Sequence, residues 1–489
     1  MPTSLVHLRL AWVLIALFTA TGMQAQSLQF GAESQVGPGG LDYLRPRIHL
    51  ATDGWPVVLW GDAAIDAVHS AYFTSMATWP TEEVSALVQG NPYVADWTGA
   101  ETATDGTHAW AVYGTGGGAD GPLYLHHFMN GYPNASDTLR IDPPVGFEYK
   151  LPTVTALPGG EAAILAMSTA TGWSDAEYVL LRTTGGGTAL LPSVPVSVPV
   201  APGEVCDCCT GHVLADGNTV VALFRNNNSN LRSIWAAVST DGGATFTTGA
   251  EVDPTAWTIA ACPSSGPDAY IAGDSLRMVW MSGAVNGTKS YARSMHLQTL
   301  ALGPLIAIHP AQSQSLSQNF PRIAGSGDTL GVVWQQGQAG QFEILISSSV
   351  TGWAGLSVPD TVNFDLIGSQ KNPDITFLNG TFYMVWQDIP SASVRYASAV
   401  LVNDVAVPEV QGVPLLHVWP VPAKDVLHIA TVADAAQYVV IDALGREVKA
   451  GRVHAGPIDV AQLPTAGYSL SLRNNAGGIV GRAAFTIVR

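Results

Sequence analysis

Short apolar runs punctuated by Gly, Asp and Asn fill most of the chain, and they recur in one order. Pro46-Arg47-Ile48 leads through a polar turn to Val57-Val58-Leu59-Trp60, Pro321-Arg322-Ile323 to Val332-Val333-Trp334, and Pro373-Asp374-Ile375 to Met384-Val385-Trp386. Weaker copies begin near Tyr93, at Pro152-Thr153-Val154, at His212-Val213-Leu214 and at Pro267-Asp268-Ala269. Seven copies can be counted. Their starts lie about 45 to 60 residues apart, near the period of propeller blades and above that of helical repeats.

Each copy has the chemistry of a small antiparallel sheet. In Asp328-Thr329-Leu330-Gly331-Val332-Val333-Trp334 the β-branched and aromatic residues suit a pleated, half-buried surface, and Gly325 and Gly327 mark the turn before it. A further strand is expected from Phe342 to Ser348, after the Gly-rich stretch Gly337 to Gly340. One such sheet leaves a face uncovered, and ranging several around an axis covers both. The expectation is an all-β chain: a β-propeller over 26–404, a linker over 405–414 and a small β-sandwich over 415–489. Residues from Gln26 to about Leu44 read as a polar, Gly-rich lead-in. Trp60, Trp280, Trp334 and Trp386 share one slot and read as packing between blades. Tyr72, Tyr291 and Tyr396 recur late in their units and are read as packing too.

Composition narrows the function. With 38 Asp and Glu against 21 Lys and Arg, the chain lacks the cationic surface that grips nucleic acid. Arg9 precedes the apolar run Leu10 to Ala20, and small residues follow to Ala25, the pattern of a secretory signal over 1–25 with cleavage before Gln26. A retained membrane anchor needs a longer run, so no span is expected in the mature chain. Export places the 4 cysteines where disulfides persist.

Three of those cysteines stand in Val205-Cys206-Asp207-Cys208-Cys209-Thr210-Gly211-His212, and the fourth opens Cys262-Pro263-Ser264-Ser265-Gly266-Pro267. The first reading is a disulfide from Cys262 to one of the three, with a second local bridge among the rest. The other is a thiolate site, His212 nearby, for a soft ion such as copper(I) or zinc. The C-x-C-C spacing matches no common zinc pattern, and no other cofactor is expected. Between strands, Arg225, Asn226, Asn228 and Arg232 form a polar stretch that reads either as a hairpin loop or as ligand-binding residues. His126 and His127 adjoin in a strand, so they face opposite ways and do not share a metal.

Ser239-Thr240-Asp241-Gly242-Gly243-Ala244-Thr245-Phe246 resembles the Asp box, S-x-D-x-G-x-x-(W/F), of sialidases and other bacterial-neuraminidase-repeat propellers. The local chemistry accounts for the types: Asp caps amides of its own turn, Gly supplies positive φ, and the aromatic anchors the hairpin. The resemblance implies that Ser239, Asp241, Gly243 and Phe246 are structural and lie away from the active mouth. It also implies six blades where the copies number seven. In sialidase-type catalysis three arginines hold the substrate carboxylate, beside a Tyr nucleophile assisted by Glu and an Asp acid/base. Arg47 and Arg322 share a slot, Asp374 falls in the same slot, and Arg225 or Arg232 is the candidate third cation. No F-R-I-P motif occurs beyond Pro46-Arg47-Ile48, and the catalytic residues are left unassigned.

After Val400 the pattern changes. Asp442-Ala443-Leu444-Gly445-Arg446 and Leu463-Pro464-Thr465-Ala466-Gly467-Tyr468 resemble the D-x-x-G-R and L-P-x-G-x-Y elements of the C-terminal sorting domain of type IX secretion cargo in Bacteroidetes-type bacteria. Trp419-Pro420-Val421-Pro422 departs from its usual Y-P-N-P. The resemblance implies passage across the outer membrane, with the type IX machinery as partner, and release or surface attachment. Three functions are therefore carried forward. The first is binding of a glycan or another extracellular ligand at the mouth, placed ahead of the second, hydrolysis by an exo-sialidase. The third is a metal- or redox-linked role for the cysteines.

Overall fold

The computed structural model describes residues 26–39, 43–73, 78–79, 85–116, 121–133, 136–285, 287–310, 316–338, 340–403, 416–430, 432, 434–442, 446–454, 456–475 and 479–489. The expected leader over 1–25 and linker over 405–414 lie outside these. The chain divides into a unit over Ala25–Asp404 and a C-terminal unit beginning at Val405. The only helix among the described residues is a single 3-10 turn at Gly352–Gly355.

Seven antiparallel sheets build the first unit among the described residues. Their first strands are Tyr43–Leu50, Glu101–Thr104, Phe147–Leu157, His212–Asp216, Asp268–Ala272, Gln318–Ser326 and Gln370–Leu378. Each of these touches the next, and Gln370–Leu378 returns to Tyr43–Leu50, so the sheets close into a ring with these strands innermost. The count from the sequence copies holds, and six does not. The second copy is displaced: its inner strand starts at Glu101, and Tyr93 lies in the approach to it.

Ring closure corrects the reading of the amino-terminal segment. Gln26–Phe30 is no lead-in but the outer strand of the seventh sheet, pairing with Ser393–Asn403 from Gln26↔Asn403 to Phe30↔Ala399. Ser34–Val36 extends the same edge. Both ends of the ring thus share one sheet, which leaves no open seam between first and last blades.

Trp60, Trp280, Trp334 and Trp386 are fully buried between sheets. Tyr113 and Phe224 take the same register position in the second and fourth blades, which explains why the tryptophan pattern lapses there. The tyrosines do not share a slot: Tyr72 pairs with Val57, Tyr291 with Trp280 and Tyr396 with Val385.

The Pro-x-(Ile/Val) signature marks a bulge. Register shifts between Leu44 and Arg47, Lys150 and Thr153, Asn319 and Arg322, and Lys371 and Asp374. Proline has no N–H for the ladder, so a bulge is where an inner strand tolerates it. The residue before each proline takes positive φ: Arg45 48°, Leu151 48°, Phe320 48° and Asn372 49°. Four non-glycine residues in that region, at equivalent positions, hold local strain that the surrounding blades must fix.

The C-terminal unit is a sandwich of two sheets, one of Val418–Trp419, Val426–Ile429 and Ile458–Asp459, the other of Glu447–Arg452, Gln437–Asp442, Ala466–Arg473 and Ile479–Ile487. Leu427, Val440, Leu470 and Phe485 fill its core. Arg446 Nε donates to Asp442 Oδ2 at 2.8 Å, and the Tyr468 hydroxyl donates to the Pro464 carbonyl at 2.8 Å. Within the described residues no helix is long and apolar enough to cross a membrane.

Candidate functional site at the propeller axis

The inner strands aim one residue per blade at the axis, next to a bulge in the first, third, sixth and seventh blades. By register these are Arg47, Glu101, Thr153, His212, Asp268, Arg322 and Asp374, each opposite the residue before the tryptophan slot. Charged members meet across the ring. Arg47 grips Glu101 with two donors, Nε to Oε2 at 2.9 Å and Nη2 to Oε1 at 3.0 Å. Arg322 Nη2 reaches Glu101 Oε2 at 3.2 Å and its Nε reaches Asp374 Oδ1 at 2.9 Å. His212 Nδ1 lies 3.1 Å from Asp268 Oδ1, and Arg322 Nη1 lies 3.7 Å from the same oxygen. From the bulge itself, Arg45 Nη2 also donates to Glu101 Oε1.

The acids also tie blades together. The Ile48 amide donates to Asp374 Oδ2 at 2.9 Å and the Ile323 amide to Asp268 Oδ2 at 2.8 Å, each linking one inner strand to its neighbour. Electrostatics follow from this closed belt. Burial works to raise the Glu101 carboxyl, but Arg47, Arg45 and Arg322 outweigh it and hold it well below the usual carboxylate range. Burial, aided by Arg47, lowers Arg45 to about 10, still charged at neutral pH. Arg322 is held well above its ordinary value: burial opposes this, and Asp268, Asp374 and Glu101 overcome it.

Three arginines do converge, as carboxylate recognition requires, but the third is Arg45 and the carboxylate is the protein's own Glu101. The sequence pattern pointed to Arg225 or Arg232 for that place. Arg225 is instead fully buried, donating to the carbonyls of Ser265, Arg232 and Met281, the last at 2.6 Å. Arg232 donates to Ile259 O, Asn226 to Pro202 O, and Asn228 closes the tight turn with Leu231. This stretch fastens loops together and does not line the axial cavity. Glu101 was missed because its blade lacks the proline; the signal available was Gly99-Ala100-Glu101-Thr102 falling in the Pro-x-Ile slot.

Above the belt lies a cavity of about 30 Å³, lined by Arg45, Trp97, Thr210, Phe320, Arg322 and Asn372 among others. That is room for little more than one water-sized group. Arg45 Nε and Asn372 Nδ2 are buried donors without a protein acceptor. Among the described residues lining this cavity there is no tyrosine.

The cysteines flank this mouth, since Thr210 and Ser264 of their loops line it. Cys208 is bonded to Cys262. Cys206 and Cys209 are buried free thiols with sulfurs 3.0 Å apart. The sulfurs of Cys206, Cys208 and Cys209 lie within 4.8 Å of one another.

On the far side of the fourth blade, the Asp241 turn is structural. Ser239 Oγ donates to Asp241 Oδ1 at 2.6 Å, the Thr245 amide donates to the same oxygen at 2.9 Å, and Phe246 is buried. Bonds from Ser239 and Thr245 lower the exposed Asp241 carboxyl to about 2. His127 stacks on Trp110 with ring centroids 4.0 Å apart, while His126 on the opposite face contacts the Tyr113 hydroxyl at 3.0 Å.

Residues 417–483 match the secretion-system C-terminal sorting domain. The chain is accordingly a bacterial protein secreted or attached at the cell surface. No curated protein matches it in sequence. Among solved structures, a protein of unknown function from Dyadobacter fermentans aligns at 14% identity, TM-score 0.45, over 66% of this chain and 98% of that one. A polysaccharide lyase, the PL25 ulvan lyase bound to a glucuronate–sulfated rhamnose ligand, aligns at 10% identity, TM-score 0.47, over 76% and 96%. PorZ, a surface component of the type IX secretion system of Porphyromonas gingivalis, aligns at 12% identity, TM-score 0.43, over 93% and 60%.

Proposed function

We propose that this exported propeller binds an extracellular glycan at its axial mouth and does not cleave it. The observation that carries the reading is the pair of buried donors, Arg45 Nε and Asn372 Nδ2, that belong to cavity-lining residues and have no protein acceptor. Such a donor costs about 1–3 kcal/mol while unmade, so a ligand oxygen delivered there recovers energy that water-exposed donors do not offer. The cavity admits a terminal hydroxyl or carboxylate oxygen, not a sugar ring, so the ring itself rests outside. Trp97, half-buried at the rim, supplies the flat apolar face that ligand sites combine with a few polar groups. Hydrolysis of the sialidase kind needs cations free for the substrate, and here Glu101 occupies them.

A glycan array probed with the wild type, Asn372→Ala and Trp97→Ala tests this. One class of oxygen-rich glycan is expected to bind, with affinity reduced about tenfold or more in Asn372→Ala, the worth of one charge-free hydrogen bond in a buried site. A wild type that binds no glycan, or a variant that binds as well as the wild type, contradicts the proposal.

A further inference from the structure

The four cysteines are arranged in order of depth. Cys262 is exposed and Cys208 half-buried, the two are bonded, and Thr210 and Ser264, two residues from them, line the mouth. Behind it Cys206 and Cys209 are wholly inaccessible. Cys206 Sγ stands 3.6 Å from Cys208 Sγ and 3.0 Å from Cys209 Sγ, so it lies between the disulfide and the second thiol. The loop is held in this state by its neighbours. The Cys206 amide donates to Arg225 O at 2.8 Å, the Tyr178 hydroxyl donates to Cys209 O at 2.6 Å, and Arg225 clasps Ser265 in the loop that carries Cys262.

We propose that these cysteines form a thiol–disulfide relay, in which the disulfide passes from Cys208–Cys262 to Cys206–Cys209 and frees a reactive thiol pair beside the mouth for an external disulfide. In the first step Cys206 Sγ, its proton taken by the Cys209 sulfur, attacks Cys208 Sγ. The Cys206–Cys208 bond forms, the Cys208–Cys262 bond breaks, and the electron pair leaves on Cys262. In the second step Cys209 gives up its proton to the Cys262 thiolate and attacks Cys206 Sγ. The Cys206–Cys209 bond forms and the pair leaves on Cys208. One disulfide and two thiols exist before and after, so nothing is oxidised overall. Cys262, its proton passing to the Cys208 thiolate, then attacks the external disulfide and releases one thiolate; that thiolate takes the proton from Cys208, which resolves the mixed disulfide and releases the second. Net, the buried dithiol is oxidised and the external disulfide reduced.

Local electrostatics assign the proton within the pair. Burial acts to raise the Cys209 thiol, yet the hydrogen bond from Cys206 and the charge of Arg225 prevail and bring it to about 7. Cys206 is pushed up by its bond to Cys209 and by burial, so it is the thiol that carries the proton. The thiolate on Cys209 is therefore the base for Cys206, 3.0 Å away, and Cys206 becomes the attacking sulfur only once its proton has passed to Cys209. The relay is independent of what the mouth binds.

Trapping on the folded protein tests it. The chain is purified without reductant, exposed to N-ethylmaleimide under native conditions, then digested and mapped by mass spectrometry. Maleimide is expected on Cys208 and Cys262, with Cys206 and Cys209 joined. Label confined to Cys206 and Cys209, or no label until denaturant is added, overturns the relay. With 5,5′-dithiobis(2-nitrobenzoate) as external disulfide, the native chain is expected to release two equivalents of aromatic thiol. Cys206→Ser, checked for native circular dichroism, is expected to slow that release about tenfold or more. An unchanged rate in a folded Cys206→Ser protein also overturns it.

Discussion

At position 101 a carboxylate sits where other blades place Arg47, Arg322 and Asp374, and the three arginines of the axis close upon it. Removing one partner of a buried charge cluster leaves the rest uncompensated, at a cost of about 3–5 kcal/mol. Glu101→Gln is therefore expected to lower stability by about that amount at pH 7, read from urea midpoints. The pH dependence has a fixed sign. Glu101 titrates lower when folded than its ordinary 4.5, so its stabilisation is full above that value and is lost as pH falls toward the folded one. The gap between wild type and Glu101→Gln should be widest near neutrality and close in acid; a constant gap contradicts the charge account. Arg47, Arg322 and Asp374 were legible because proline marked their slot, whereas Glu101 and Arg45 were not. Glu101 follows Gly-Ala instead of proline, and Arg45 enters the axis only because its backbone adopts positive φ, which no residue type announced.

Among the elements, the repeated strands were readable because alternation and tryptophan recur at fixed spacing. The amino-terminal strand was not: Gln26–Phe30 is 5 residues long, shares no motif with the repeats, and owes its structure wholly to pairing with Ser393–Asn403. Since that pairing completes the outer edge of the seventh blade, deleting residues 26–36 is expected to lower the melting temperature by more than about 5 °C. Unchanged calorimetric melting would show that the edge contributes nothing to closure. The Asp241 hairpin illustrates the opposite case, in which a short motif announced its own turn: Ser239, Asp241 and Thr245 bond within one loop.

Over the whole molecule, the propeller and the C-terminal sandwich were separable in sequence by the change of pattern after Val400, and each folds around its own core. What the sequence left open was whether distant charges at the axis serve a substrate or one another, because that depends on which side chains the ring brings face to face. Glu101 lies in the second blade and Arg322 in the sixth, and only closure sets them 3.2 Å apart. The direct test is release of a fluorescent aglycone from a sialoside by the purified propeller. No release above a heat-denatured control is predicted, because the arginines are already paired; turnover that Arg47→Lys abolishes would contradict it.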